Sequence, residues 1–203
     1  MADTPMYHDG MRYYQNRFDT RRLADRLEQV RHHSMFKENY RKIIERSTFF
    51  FLATTDAEGW PDSSYKGGLP GFVRVVDDHT LAFPSYDGNG MFRSLGNIRV
   101  NPKVGMLFID FEHPKRLRVN GTASVHEEDA LMEQFPGAQL MVRVRAAHVF
   151  PNCPRYIHTM ELAEHSKYAP QAGYVPPVPE WKVQPDIKDA LPPGDPAHDV
   201  EDD

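Results

Sequence analysis

Residues 85–98, SYDGNGMFRSLGNI, set Gly88 and Gly90 on either side of Asn89 and then place Met91, Leu95 and Ile98 at the i, i+4, i+7 spacing of one helix face. A glycine-rich turn that opens directly into a helix leaves backbone N–H groups unpaired and aimed outward, an arrangement that suits an anion. Arg93 and Ser94 stand on the first helical turn and add a cation and a hydroxyl. Two further cations, Lys66 in DSSYKGG and Arg74 in GFVRV, reach the same spot if their strands pair as neighbours. Helix amides with cations that fork onto oxygens are what a phosphate requires. A second chemistry-bearing row is RLRVNGTASV, where Arg116, Arg118 and Asn120 share one face of an alternating strand and Leu117, Val119, Gly121, Ala123 and Val125 share the other.

The elements that must hold these residues fall into three zones. Residues 1–46 read as a helical extension: Leu23, Leu27 and Val30 at helical spacing, a break at HHS, then Phe36, Tyr40, Ile43 and Ile44, with Asp19 or Thr20 capping the first helix. Residues 47–170 have the rhythm of strands. TFFFLATTD and DSSYKGG flank the turn AEGWP, GFVRVVDDHTLAF reads as two strands around Asp77 and Asp78, and KVGMLFIDFE and RLRVNGTASVHE flank HPK. Asn101-Pro102 should stop the helix after the glycine loop, because proline disfavours a helical residue before it. Val104 to Phe111 is apolar on both faces and predicts a strand covered on both sides. EEDALMEQF predicts a short helical piece, AQLMVRVRAAHVF another strand, and Cys153-Pro154 the start of a last helix. Residues 171–203, proline-rich and acidic, read as a solvated tail, partly disordered.

Bulk properties exclude several partners. With 24 basic and 29 acidic residues the formal charge is −5, so no broad cationic surface awaits nucleic acid or an anionic membrane. No apolar run is long enough to span a bilayer, and the single cysteine, Cys153, fits a reducing compartment, so the expected location is cytoplasmic. Gly88, Gly90 and Asp110 come near a dinucleotide fingerprint, but Arg93 stands where a third glycine would let helix and strand pack closely. The short turns predict antiparallel hairpins, with one strand–helix–strand crossover among them. His148, Cys153 and His158 lack paired ligand spacing, so no metal site is expected, and His32-His33 reads as a linker.

The order SSYKGG, PGFVRV, YDGNGMFRSLGNI and KRLRVNGTASV resembles the pyridoxamine 5′-phosphate oxidase-like family of FMN-binding split β-barrels, in its branch of small flavin-nucleotide-binding proteins. The resemblance implies an α+β fold: a six-stranded antiparallel split barrel with N-terminal helices and a C-terminal helix. It further implies a homodimer with FMN in clefts between subunits. Candidate cofactor residues are Ser63, Ser64, Lys66, Gly67, Arg74, Pro84, Tyr86, Gly88, Asn89, Gly90, Met91, Arg93, Ser94, Asn97, Arg116 and Arg118. The strands carrying SSYKGG and GFVRV would run along the cofactor and Arg116 would lie against its ring, while Pro84 and Tyr86 wall it. Asn89 and Asn97 either bond the ribityl chain or hold the loop closed. The implied activity is an FMN-dependent oxidoreductase of unknown substrate, with no side chain marked as acid or base. The alternatives are a non-catalytic flavin-binding protein, for storage or sensing, and a relative that holds deazaflavin or haem in the same cleft. The namesake oxidases recognise substrate phosphate through a basic residue and a histidine in a C-terminal segment. This chain past Gly173 is instead proline-rich and acidic, which would repel a phosphorylated substrate, so the vitamin reaction is not expected.

Overall fold

The computed structural model describes residues 5–200. Alternation builds the sheet from its middle outward. Strand β1 (Phe49–Thr55) buries Phe50, Leu52 and Thr54 and turns Phe49, Phe51 and Ala53 the other way. Asp56 closes the next turn by accepting from the N–H groups of Glu58 and Trp60, and the chain returns as β2 (Pro61–Gly67). A second hairpin joins β3 (Arg74–Val75) to β4 (Thr80–Ser85), its turn held by Asp77 accepting from the His79 N–H. With β5 (Lys103–Asp110), β6 (Lys115–His126) and β7 (Leu140–Asn152) the order is β2-β1-β5-β6-β7-β4-β3, all pairs antiparallel.

The class is α+β on an antiparallel sheet, as expected, but among the described residues the strands number seven and the sheet is not closed. Helix α3 (Glu38–Arg46) takes bonds that a closing ladder would use at the β3 end: the Gly71 N–H donates to the Glu45 carbonyl and the Val75 N–H to the Glu45 carboxylate. The expected C-terminal α-helix is absent among the described residues. After Asn152 the chain runs irregularly, with 3-10 turns at Glu180–Val183, Lys188–Ala190 and Pro196–Asp199. Met160 and Leu162 stay about half exposed there, so no apolar stripe exists for a helix to bury. The acidic end, residues 201–203, lies outside the described residues.

Of the helices, α3 buries Tyr40 and Ile44, and α2 (Arg21–Arg31) begins after Thr20 but leaves Leu23, Leu27 and Val30 exposed. An additional helix, α1 (Asp9–Arg17), precedes them, with Met11, Tyr14 and Phe18 at helical spacing but exposed. His32 and His33 do more than link. His32 ends α2 with Nε2 2.7 Å from Nδ1 of His148 on β7, and His33 bridges to Val149.

Two features set the faces of the sheet. Register on β6 and β7 shifts between Asn120 and Gly121, and a Cβ at Gly121 would lie 2.2 Å from the Arg145 carbonyl oxygen, so the bulge demands glycine. Strand β5, expected to be covered twice, is covered once: Val104, Met106 and Phe108 are buried while Leu107 and Ile109 are half exposed. Helix α4 (Arg93–Val100) packs on the core side and ends, as expected, at Asn101-Pro102. It joins β4 to β5, which are separated by β7 and β6, and three antiparallel steps leave them running in opposite directions. The connection is therefore not the strand–helix–strand crossover expected from the loop. No helix among the described residues is long and apolar enough to cross a membrane.

Candidate functional site

The quoted loop does open into α4. Its N-cap is Phe92, at φ 48°, whose side chain cannot cap the first turn, and the earliest internal bond runs from the Gly96 N–H to the Phe92 carbonyl. A bulky residue in the left-handed region is a strained choice, and here it stands where a capping oxygen would otherwise take the helix amides. Those amides remain open to an anion. Gly88 and Gly90 are exposed, Gly90 at φ 71°, and a Cβ at either would meet open space. Asn89 holds the loop: its side-chain oxygen accepts from the Met91 N–H at 3.1 Å. Asn97 holds the helix, donating to Thr54 Oγ1 on β1 at 3.0 Å. Asn89 holding the loop agrees with one of the two roles left open for it, while Asn97 ties α4 to β1. Met91 is exposed and Ser94 is buried at the root of the helix.

Cross-strand pairs share a face, so the β1–β2 register decides which β2 residues meet α4. Asp62, Ser64 and Lys66 pair with Thr54, Leu52 and Phe50 and lie on the core side under α4, whereas Ser63, Tyr65 and Gly67 face outward. The corner is electrostatically structured. Arg93 Nε donates to the Asp62 carboxylate at 3.1 Å, and Asp62 is far less exposed than the arginine. Burial pushes Lys66 below the ordinary lysine range, and the charge of Asp62 pulls it partly back. Arg93 and the buried Lys66 thus both interact electrostatically with one carboxylate, on the strand face that also carries Ser64 and beside the uncapped start of α4. Asp62 lay in plain sight within DSSYKGG but carried no local signal of its pairing with a helix 31 residues away.

The second row stands on the other face. Arg116, Arg118 and Asn120 point outward from β6 and pair with Asn152, Phe150 and His148 of β7. Arg116 Nε and Asn152 Oδ1 are buried without hydrogen-bond partners, a donor and an acceptor on neighbouring positions. Buried polar atoms are rarely left so, and this pair suits a ligand edge that offers both functions. Asn152 was not anticipated; its partner lies on another strand, beyond any local pattern. Across the same outer face run Phe49, Phe51, Tyr65, Leu107 and Phe111, with Phe49 stacked on Tyr65 at 5.3 Å and on Phe111 at 5.9 Å.

The remaining candidates scatter. Arg74 is exposed on β3, at the opposite end of the strand order from β2, so the neighbouring-strand condition for its reaching the Lys66 corner is not met. Pro84 is buried and pairs with Met141, on the face that Leu131, Met132 and Phe135 cover. A Cβ at Gly67 would come 2.7 Å from the Tyr65 ring, so that glycine makes room for an aromatic neighbour. Tyr86, half buried beside the loop, has its phenol pushed up to about 12 by burial.

The family model for pyridoxamine 5′-phosphate oxidase matches residues 36–172 of this chain, from the start of α3 through the whole sheet. The chain belongs to the pyridoxamine 5′-phosphate oxidase family. Within the family's fold, the glycine loop, α4, the β2 corner and the β6–β7 row all fall inside the matched span, and Lys182 and the rest of the tail fall outside it. No protein of curated function matches the sequence. Solved structures similar to this chain include HupZ of Group A Streptococcus, 23% identical, covering 58% of this chain and 94% of that one with a TM-score of 0.47. An FMN-binding protein of Syntrophomonas wolfei is 14% identical, with 70% and 97% covered and a TM-score of 0.43. HutZ, the heme storage protein of Vibrio cholerae, is 22% identical, with 58% and 90% covered and a TM-score of 0.38.

Proposed function

We propose that this chain is an FMN-dependent oxidoreductase acting as a homodimer. The observation that carries the reading is the gathering of uncapped α4 amides, Arg93 and Lys66 on one corner of β2, which is a cradle for a phosphate ester. Arg93 would exchange Asp62 for phosphate oxygens, and Ser64, on the same face, offers a hydroxyl. When bound, FMN supplies the redox chemistry through its ring. Arg116 and Arg118 offer positive charge to the pyrimidine edge, and the orphaned Arg116 Nε and Asn152 Oδ1 offer it a donor and an acceptor.

These two groups of residues lie on opposite faces of one sheet, which favours a cofactor shared between two copies. The open outer face supports the same reading. Strand β5 is apolar on both sides yet covered on one: its own Leu107 and Ile109, and Phe49 and Phe51 of β1 beside it, are only half buried. A second copy laid on that face would cover them.

The test is an absorption spectrum of the purified protein, followed by chromatography of whatever heat releases. Released FMN near one per chain upholds the reading. A colourless protein that also fails to quench the fluorescence of added FMN refutes it, and a sharp haem or deazaflavin band would replace FMN with that group.

A further inference from the structure

The tail, expected to run free in solvent, crosses back to the loop that opens α4. Lys182, in the turn Glu180–Val183, is 4% exposed, and its ammonium donates to Asp87 at 2.7 Å and to Asp195 at 2.6 Å. Asp195 is nearly buried as well and caps the turn Pro196–Asp199 by accepting from the Ala197 N–H at 3.0 Å, with Ala197 fully buried beneath it. Asp87 is mostly exposed and stands between Tyr86 and Gly88. A buried ammonium is tolerated only when paired and hydrogen-bonded. One carboxylate here fixes Lys182 within the tail, and the other belongs to the glycine loop.

We propose that Lys182 is a positioning residue, the latch by which the folded tail holds loop 86–90 in the conformation that presents the α4 amides to phosphate. The inference rests on the phosphate reading of that loop. Two glycines flanking Asn89 give the loop many conformations to lose on binding. The Asn89–Met91 turn restrains its far side and the Asp87–Lys182 pair its near side. A loop held in place before the ligand arrives costs less to order when it binds. Lys182 also offsets the charge of Asp87, which would otherwise repel a phosphate.

Asp87→Asn in the full chain is the decisive variant, because it weakens the tie between loop and latch from an ion pair to a neutral hydrogen bond while leaving Lys182 paired with Asp195. Hydrogen exchange reads the loop directly, and fluorescence titration reads FMN affinity. Simple charge removal would tighten FMN binding. The latch predicts the reverse, about tenfold weaker binding with roughly tenfold faster exchange over residues 86–92. Lys182→Met should speed exchange in both loop and tail. Unchanged loop exchange in Asp87→Asn overturns the latch, as does FMN affinity that is unchanged or tighter. If the unaltered protein binds no FMN, the flavin reading fails separately; faster loop exchange in Asp87→Asn then still upholds the latch, and unchanged exchange overturns it.

Discussion

Asp62→Asn should tighten FMN binding, although it alters a residue at the centre of the proposed cradle. In the free protein Arg93 is engaged by Asp62 at 3.1 Å, so phosphate must compete with a carboxylate for the guanidinium. Arg93 is 62% exposed, which places the pair among surface ion pairs worth about 0.5–1 kcal/mol. Releasing it should lower Kd roughly two- to fivefold. Removing a negative charge near the phosphate acts in the same direction and is screened by salt, so the gain should grow at low ionic strength. One opposing effect sets a pH limit. Asp62 helps Lys66 keep its proton against burial, and without it Lys66 loses charge at lower pH, so the gain should shrink as the medium becomes alkaline. The assay is quenching of FMN fluorescence at two salt concentrations across neutral to alkaline pH. Weaker, salt-insensitive binding by Asp62→Asn would refute the competition argument and make Asp62 a ligand of the cofactor.

Arg143 donates to the nearly buried Asp129 at 2.6 and 2.9 Å and, with the Leu131 N–H, holds its carboxyl down at about 2. A depressed carboxyl contributes stability above its unfolded value, about 3.9, and loses it as pH falls through the folded value. Asp129→Asn should therefore cost about 2 kcal/mol at neutral pH, with the gap to the unaltered protein closing between about pH 4 and pH 2; urea unfolding at several pH values measures it. Gly121→Ala must push the Arg145 carbonyl aside and should cost about 3 kcal/mol, lowering Tm by roughly 6–12 °C in a calorimetric scan. Leu107→Glu places a charge on the open face of β5 without touching the core of the chain, so it should leave the fold intact and yield monomers in sedimentation velocity. An unaltered protein that is monomeric while holding FMN would count against the shared cleft.

What could be read from the sequence was local. Alternation on β6 assigns Leu117 and Val119 to the core and Arg116 and Arg118 to the other face, and the structure does the same. Asn101-Pro102 ends α4 because a stop acts within a few residues of where it stands, while Thr20 precedes α2 without its hydroxyl capping the helix. Pairings across long separations were not legible. Lys182 finds Asp87 95 residues back, and nothing in a proline-rich acidic tail distinguishes the one lysine that becomes buried. Asn152 and Asp62 gain meaning only from the strand or helix set beside them. The C-terminal helix was inferred from a proline at a suitable start, but the segment that follows has no apolar face to dock.

The apolar character of β5 can be reconciled with its half-covered state only by asking what one chain leaves undone. A strand that is apolar on both faces normally lies in a sheet covered on both. Here α4 packs on one face, and the other carries stacked aromatics around Phe49 beside a row of arginines with an unsatisfied donor. Aromatics only partly covered and a buried polar atom without a partner are two separate deficits of the free chain, and both fall on the same side of β5 and β6. A second copy would relieve the first, and a flat ligand with a polar edge at the seam would relieve the second. The proposal of a shared cofactor thus follows from where the deficits lie, and it ties oligomerisation to ligand binding: the interface that Leu107→Glu breaks should also weaken flavin retention.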